Sequence, residues 1–398
     1  MPDSLTKRLS PALLTFALIL SPGCDQKVVT GVDNTPPEVA IDGLPAGSTV
    51  SGVAFRVDVT ATDDEGVDRV EFLVDGVNPV VDSTPPFSAT IVTLAQVSGT
   101  EVVISADAFD AAGNTSRAST TVEVAPRNET RLTTDLNDDM NPAWSPDGER
   151  IAFQADRSGA QFDLWVMDAD GSAQVRLTEN VNEDRNPAWS PDGAYLAFDS
   201  DRAGEFDIWM LPLATGEADA AALTFGNNED IQPSWTPGGS HVIFASSRGS
   251  NGDFNIWRMP ATGDDVTTTQ LTAFLEDDTA PAVAPNGTLL AFASLLNFTT
   301  EHIYTNEIGE LQVFPLSGDV GFTELDPAWS PDGSVIVFSR SEGLDSNLWI
   351  MPPGALVPVQ VTFASGTVGD GAPAWSPDGS RIAFHSDRDG NLDIYVIE

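Results

Sequence analysis

The chain has 398 residues, of which 60 are Asp or Glu and 18 are Lys or Arg, for a formal charge of −42. Such a surface repels phosphate backbones and anionic lipid head groups, which excludes nucleic-acid binding and membrane adhesion through a basic patch and favours cations and basic partners. Hydrophobic residues at 41% and aromatic residues at 8% suffice for packed cores, while the single cysteine, Cys24, excludes an internal disulfide and a cysteine-based zinc site.

Lys7 and Arg8 precede the apolar run Leu13 to Leu20, which ends in Ser21-Pro22-Gly23-Cys24. The run is well short of the roughly 20 residues that span a bilayer and has the layout of a secretory signal. With Cys24 directly behind the small Gly23, the segment resembles a bacterial lipoprotein signal, which implies cleavage before Cys24 and acylation of its thiol. Residues 1–24 are therefore expected to be leader and lipidation site. Residues 25–35 are polar and run into Pro36-Pro37, as a linker does.

Over residues 36–126 the hydrophobic period becomes two. Phe55, Val57, Val59 and Ala61 alternate with Arg56, Asp58 and Thr60, and Val70, Phe72 and Val74 continue the pattern. Further strand signals at 101–109 and 117–124 are separated by Gly, Pro and Asp turns, which predicts a half-buried antiparallel sandwich. The stretches Ala61-Thr62-Asp63-Asp64-Glu65-Gly66 and Asp107-Ala108-Phe109-Asp110-Ala111-Ala112-Gly113-Asn114 resemble bacterial Ig-like modules. A sandwich of this type places the two loops at one end, so Asp63, Asp64, Asp110 and Asn114 form a candidate Ca²⁺ site built from hard oxygen ligands.

The rest of the chain is a repeat. Asn141-Pro142-Ala143-Trp144-Ser145-Pro146-Asp147-Gly148 returns around Trp189, Trp235, Trp329 and Trp375, and a degenerate copy centred on Val283 fills the one gap. Six units 45 to 48 residues apart, each with four short strand signals, predict propeller blades. Ser-Pro-Asp-Gly makes a tight turn, because Pro fixes φ at its second place and Gly accepts a positive φ at its end. The final unit stops at Glu398 without a Leu-Thr strand, and an orphan Arg131-Leu132-Thr133 stands before the first Trp. Supplying that strand to the last blade closes the ring and removes both open sheet edges. The fold class is thus all-β, a six-bladed β-propeller over 128–398 behind an Ig-like β-sandwich. On its Trp-Ser-Pro-Asp-Gly copies the propeller resembles TolB-like propellers, a likeness that implies fold and carries no role in the Tol system.

Candidate chemistry is sparse. No Gly-x-Ser-x-Gly elbow occurs, and His241, His302 and His385 fall at unrelated places in three blades. The Trp motif and the arginines Arg157, Arg202, Arg248, Arg340 and Arg388 recur in nearly every blade, as scaffold residues do. Before each first strand stands an acidic cluster: Asp138 with Asp139, Glu183 with Asp184, Glu229 with Asp230, Asp277 with Asp278, Glu324 with Asp326, and Asp370. These acids are expected to ring one mouth of the channel, where a focused negative potential would attract a cation, Ca²⁺ included, or a basic peptide. Blade four departs from the rest, with Val283 for Trp and Leu295, Leu296 and Phe298 where the arginine hairpin belongs, and is expected to carry a partner-binding patch. The function expected is an envelope-anchored, non-enzymatic binding scaffold that needs no cofactor, with a protein or peptide partner and membrane contact through the lipid alone. The alternative is a propeller enzyme, a glycan hydrolase or lyase working with channel carboxylates.

Overall fold

The computed structural model describes residues 33–398 except 51–53, 93–100, 126, 158, 160, 250–251, 264–266, 297–299, 311, 318–320, 354–357 and 365–367. The leader, Cys24 and Phe298 lie outside the described residues.

Alternation builds the sandwich. Along Ala54–Thr62, Val57 and Val59 are buried while Arg56, Asp58 and Thr60 face solvent. Val70, Phe72, Ile104, Ala106, Val122 and Val124 from the opposite sheet close the same core. One sheet holds three strands, Glu38–Asp42, Ala54–Thr62 and Phe87–Val92, and the other holds five. The pairing is not wholly antiparallel. Ser48–Val50 runs parallel to the end of Thr115–Val124, because the chain crosses from one sheet to the edge of the other without a hairpin.

Six four-stranded antiparallel sheets follow. Their first strands are Asp139–Trp144, Asp184–Trp189, Asp230–Trp235, Asp278–Val283, Thr323–Trp329 and Asp370–Trp375. The motif's aspartate ties each turn that carries it: Asp147 Oδ1 accepts Ser145 Oγ at 2.5 Å and the Glu149 N–H at 3.0 Å, with Gly148 at φ +72°. Asp192, Asp332 and Asp378 repeat the first bond. The tryptophans bind blade to blade. Trp189, Trp235 and Trp329 donate their indole N–H to the carbonyls of Ala143, Ala188 and Ala282 in the preceding blade, at 3.1 to 3.2 Å. Val283 has no such donor, and the junction of blades three and four is held by other bonds, among them the Asp278 N–H to the Phe254 carbonyl at 2.8 Å and the Ala280 N–H to Gln232 at 2.9 Å.

Closure uses the start of the domain. Glu129–Arg131 pairs with Asp393–Ile397 as the fourth strand of the last sheet, two residues earlier than the sequence motif suggests. Leu132 and Thr133 extend the bonding: the Leu132 N–H reaches the Ile394 carbonyl at 2.8 Å, and Thr133 Oγ1 accepts the Ile394 N–H at 2.9 Å.

Candidate functional site

The structure corrects the expected ring of acids. Asp139, Asp184, Asp230, Asp278, Glu324 and Asp370 do not stand at a mouth; each is at most 1% exposed, wedged between neighbouring blades. The cause lies in the repeat itself. In four blades the hairpin arginine of the same blade reaches back to the acid, with Arg157–Asp139 at 2.6 Å, Arg202–Asp184 at 2.7 Å, Arg248–Asp230 at 2.5 Å and Arg388–Asp370 at 2.9 Å, and in blade five Arg340, from within the second strand, stands looser at 3.9 Å from Glu324. Each guanidinium also lies over aromatic rings, Arg202 at 5.3 Å from the Phe198 centroid and 4.8 Å from that of Trp209. Burial pushes the Asp139 and Asp230 carboxyls up, against the pull of Arg157 and Arg248.

The Leu-Thr ending, whose purpose the sequence does not disclose, completes these junctions. Thr178, Thr224, Thr272, Thr362 and Thr133 are buried, and each hydroxyl accepts the backbone N–H of the third strand beside it, from Leu164, Ile208, Ile256, Leu348 and Ile394 at 2.8 to 3.0 Å. A polar residue stands one place earlier in that strand in every blade: Asp163, Asp207, Asn255, His302, Asn347 or Asp393. Where it is aspartate, a second arginine can answer it, as Arg176 does for Asp163 at 2.7 Å and Arg131 for Asp393 at 2.5 Å.

Blade four breaks the scheme. Leu296 stands where four other blades have arginine, and among the described residues neither carboxylate oxygen of the fully buried Asp278 finds a hydrogen-bond partner. Burial pushes this carboxyl up to about 6, the nearby hydroxyls of Thr272 and Ser294 pulling the other way. The expected hydrophobic patch is not free surface: Leu295 and Leu296 are half-buried, and Leu296 packs on the cluster of Phe292 and Tyr304.

The outer acids do face solvent. Glu229 and Asp277 are exposed, and Asp138 and Glu183 are half-buried. They stand at the blade end where the second strands turn into the third, since the N–H groups of Asp138 and Glu183 bond to Asp156 and Asp201 at 2.9 Å.

Asp326 belongs elsewhere, on the propeller axis. Each first strand carries a bulge whose residue adopts φ between +47° and +53°: Asn141, Asn186, Gln232, Ala280, Asp326 and Ala372. With the prolines that follow, these six line an axial cavity of about 160 Å³. Around it, bulge N–H groups bond to side chains of the blade before. Asn186 reaches Gln154 at 2.9 Å and Gln232 reaches Asp199 at 3.0 Å, both acceptors on second strands. Blade three has Ala245 at that second-strand position, and there the bulge residue Gln232 itself accepts the Ala280 N–H at 2.9 Å. His385 Nδ1 accepts the Asn141 N–H at 3.4 Å, which closes the girdle with a neutral ring. Burial holds His385 below the usual imidazole range, against Asp326 and other nearby carboxylates, and Gly371 makes room for it, since a Cβ there would stand 2.6 Å from Nε2. Burial likewise pushes Asp199 up to about 6, opposed chiefly by Arg185 at 3.5 Å. Sequence reading missed this girdle because its members alternate between two strands.

In the sandwich, the loop ends meet in part as expected. Asp63 and Asp64 converge with Asp33, which sequence reading missed, so that one carboxylate oxygen from each lies within 4.8 Å of the others. Among the described residues, one buried oxygen of Asp33 and one of Asp63 have no hydrogen-bond partner. Asp110 and Asn114 serve a different purpose. Asn114 Nδ2 donates to Asp110 Oδ2 at 2.7 Å and to the Asp33 carbonyl at 3.2 Å, fastening the incoming chain beside the loops.

Comparison with known proteins agrees with both halves. The family profile of the TolB beta propeller domain matches residues 138–309, and that of a bacterial Ig domain matches residues 37–101. A protein assigned as TolB from Agrobacterium tumefaciens superposes with a TM-score of 0.55 at 20% identity, over 68% of this chain and 96% of its own. TolB from Acinetobacter baumannii gives 0.53 at 18% identity, over 86% and 83%. A gluconolactonase from Xanthomonas campestris gives 0.51 at 11% identity, over 68% and 89%. At these identities the likeness is one of fold. No curated protein matches the chain. The chain therefore carries a bacterial Ig domain followed by a TolB-like six-bladed β-propeller.

Proposed function

We propose that the chain is an exported, non-enzymatic binding scaffold of the bacterial cell envelope, anchored by a lipid on Cys24. In this reading residues 1–24 are leader and lipidation site, 25–35 a linker, 36–126 a spacer module and 128–398 the propeller that takes a basic protein or peptide. The observation that carries it is the division of labour among the acids. One layer is buried in the blade junctions, five of its six members beside arginines, while the other, with Glu229, Glu276 and Asp277 exposed, borders the blade ends around the axis and stays available to cations. Asp326 is the one carboxylate among the residues lining the axial cavity. A glycan hydrolase or lyase would need a facing pair roughly 5 to 10 Å apart, so the geometry favours binding over that chemistry.

Cross-linking in intact cells followed by envelope fractionation tests the reading. The natural chain is expected in the membrane fraction with a cross-linked partner, Cys24→Ala in the soluble fraction, and a Glu229→Lys, Glu276→Lys variant without its partner. A Cys24→Ala chain that stays on the membrane removes the anchor, and a charge-reversed chain that keeps its partner removes the acidic face.

Asp33, Asp63 and Asp64 also fit a Ca²⁺ ion held at the root of the spacer, which would stiffen the entry of the chain into the sandwich. Calorimetric titration of the full chain is expected to show one millimolar-range site that Asp63→Asn abolishes. Unchanged heat in Asp63→Asn assigns the calcium to other acids.

A further inference from the structure

Four blades build the same box and fill it from within, and blade five places Arg340 of its second strand over Phe322 and Trp349 instead. In the four, a buried carboxylate forms the floor, a second-strand phenylalanine and a third-strand Trp or Tyr form the wall, and the hairpin arginine enters between them. In blade one, Arg157 lies 2.6 Å from Asp139, 5.2 Å from the Phe153 centroid and 4.6 Å from that of Trp165. In blade six, Arg388 lies 2.9 Å from Asp370, 5.4 Å from the Phe384 centroid and 4.7 Å from that of Tyr395. The repeat thus records what this box binds, which is a planar guanidinium.

Blade four keeps the box without its occupant. Asp278 is fully buried with no cation beside it among the described residues, only the hydroxyls of Thr272 and Ser294 lying near, and Phe292 and Tyr304 stack with centroids 6.1 Å apart at 24°. Leu296 takes the arginine's place, half-buried on the Phe292 and Tyr304 cluster, and its carbonyl accepts the Tyr304 hydroxyl. Methyl groups cover a carboxylate without neutralising it, and a buried charge left so is costly. Resting on the reading of the propeller as a scaffold for basic partners, we infer that blade four is a receptor for the arginine side chain of a partner, whose guanidinium displaces Leu296 and pairs with Asp278 beside Phe292 and Tyr304. A guanidinium fits better than an ammonium because its flat face suits the rings while its edge serves both carboxylate oxygens. The partner's arginine would complete the blade as four of the others are completed by their own.

Methylguanidinium chloride is the probe, set against NaCl and methylammonium chloride at equal ionic strength, with the full chain followed by calorimetry and thermal unfolding. Methylguanidinium at a tenfold excess over its Kd is expected to raise Tm by about 2 to 4 °C, with little effect from the other two salts. Asp278→Asn should lose the response. Leu296→Arg should melt higher with no probe present and respond no further, and Arg202→Ala should gain a second site by emptying the box of blade two. An equal response to methylammonium would assign the box to lysine and overturn the arginine assignment. Absence of heat in the natural chain at millimolar probe, or the same heat in Asp278→Asn, would overturn the site itself. Probe binding without any envelope partner would leave the site standing while the scaffold reading fell, and a captured partner without probe binding would do the reverse.

Discussion

Deleting residues 128–134 is expected to cost the propeller on the order of 5 kcal/mol and to replace a cooperative melt with a broad one at lower temperature. The deletion removes the strand Glu129–Arg131 and exposes the edge of Asp393–Ile397, whose five residues are all buried. It also strips Asp393, whose side chain is fully buried, of Arg131 at 2.5 Å and Thr133 at 3.2 Å. Breaking a buried ion pair by removing one partner alone costs about 3 to 5 kcal/mol, and the lost edge pairing adds to that. Urea and thermal unfolding of the shortened protein check the expectation, and an unchanged midpoint would show that the ring does not depend on its first strand for closure.

The fold was legible because its signals are local and repeated. A Trp and a Ser-Pro-Asp-Gly turn every 45 to 48 residues set the blade count, and a missing Leu-Thr at the end matched by a spare one at the start set the closure. The site was less legible, for reasons of direction. In a strand, successive side chains point to opposite faces, so Asp138 and Asp139 look like one cluster in sequence while the first meets solvent and the second the blade junction. The bulge adds another turn, sending Asp326 to the axis although it is only two residues from the buried Glu324. Blade four could be recognised as odd from Val283 and Leu296, but the consequence of Leu296 becomes visible only once Asp278 is seen buried beneath it. Asp33 was missed because its partners Asp63 and Asp64 come three strands later in the chain, and nothing near it in sequence marks it as a ligand.

That the repeated acids belong to the scaffold and leave binding to the outer layer and to blade four is tested most directly at blade two. Arg202 bonds to both oxygens of Asp184 at 2.7 Å, with side-chain exposures of 13% and 0%, so solvent screens the pair little. Arg202→Leu reproduces in blade two what Leu296 does in blade four and is expected to cost about 3 to 5 kcal/mol, because it leaves Asp184 buried near Asp163 with the Asn180 amide and no arginine as its partner. Adding Asp184→Asn removes the stranded charge and should return part of that loss, a coupling of about 1 to 3 kcal/mol in a double-mutant cycle measured by urea unfolding. Partner capture should be unchanged in the double variant. Additive losses with no coupling, or a stable Arg202→Leu chain that no longer holds its partner, would contradict the account and return these acids to the binding surface.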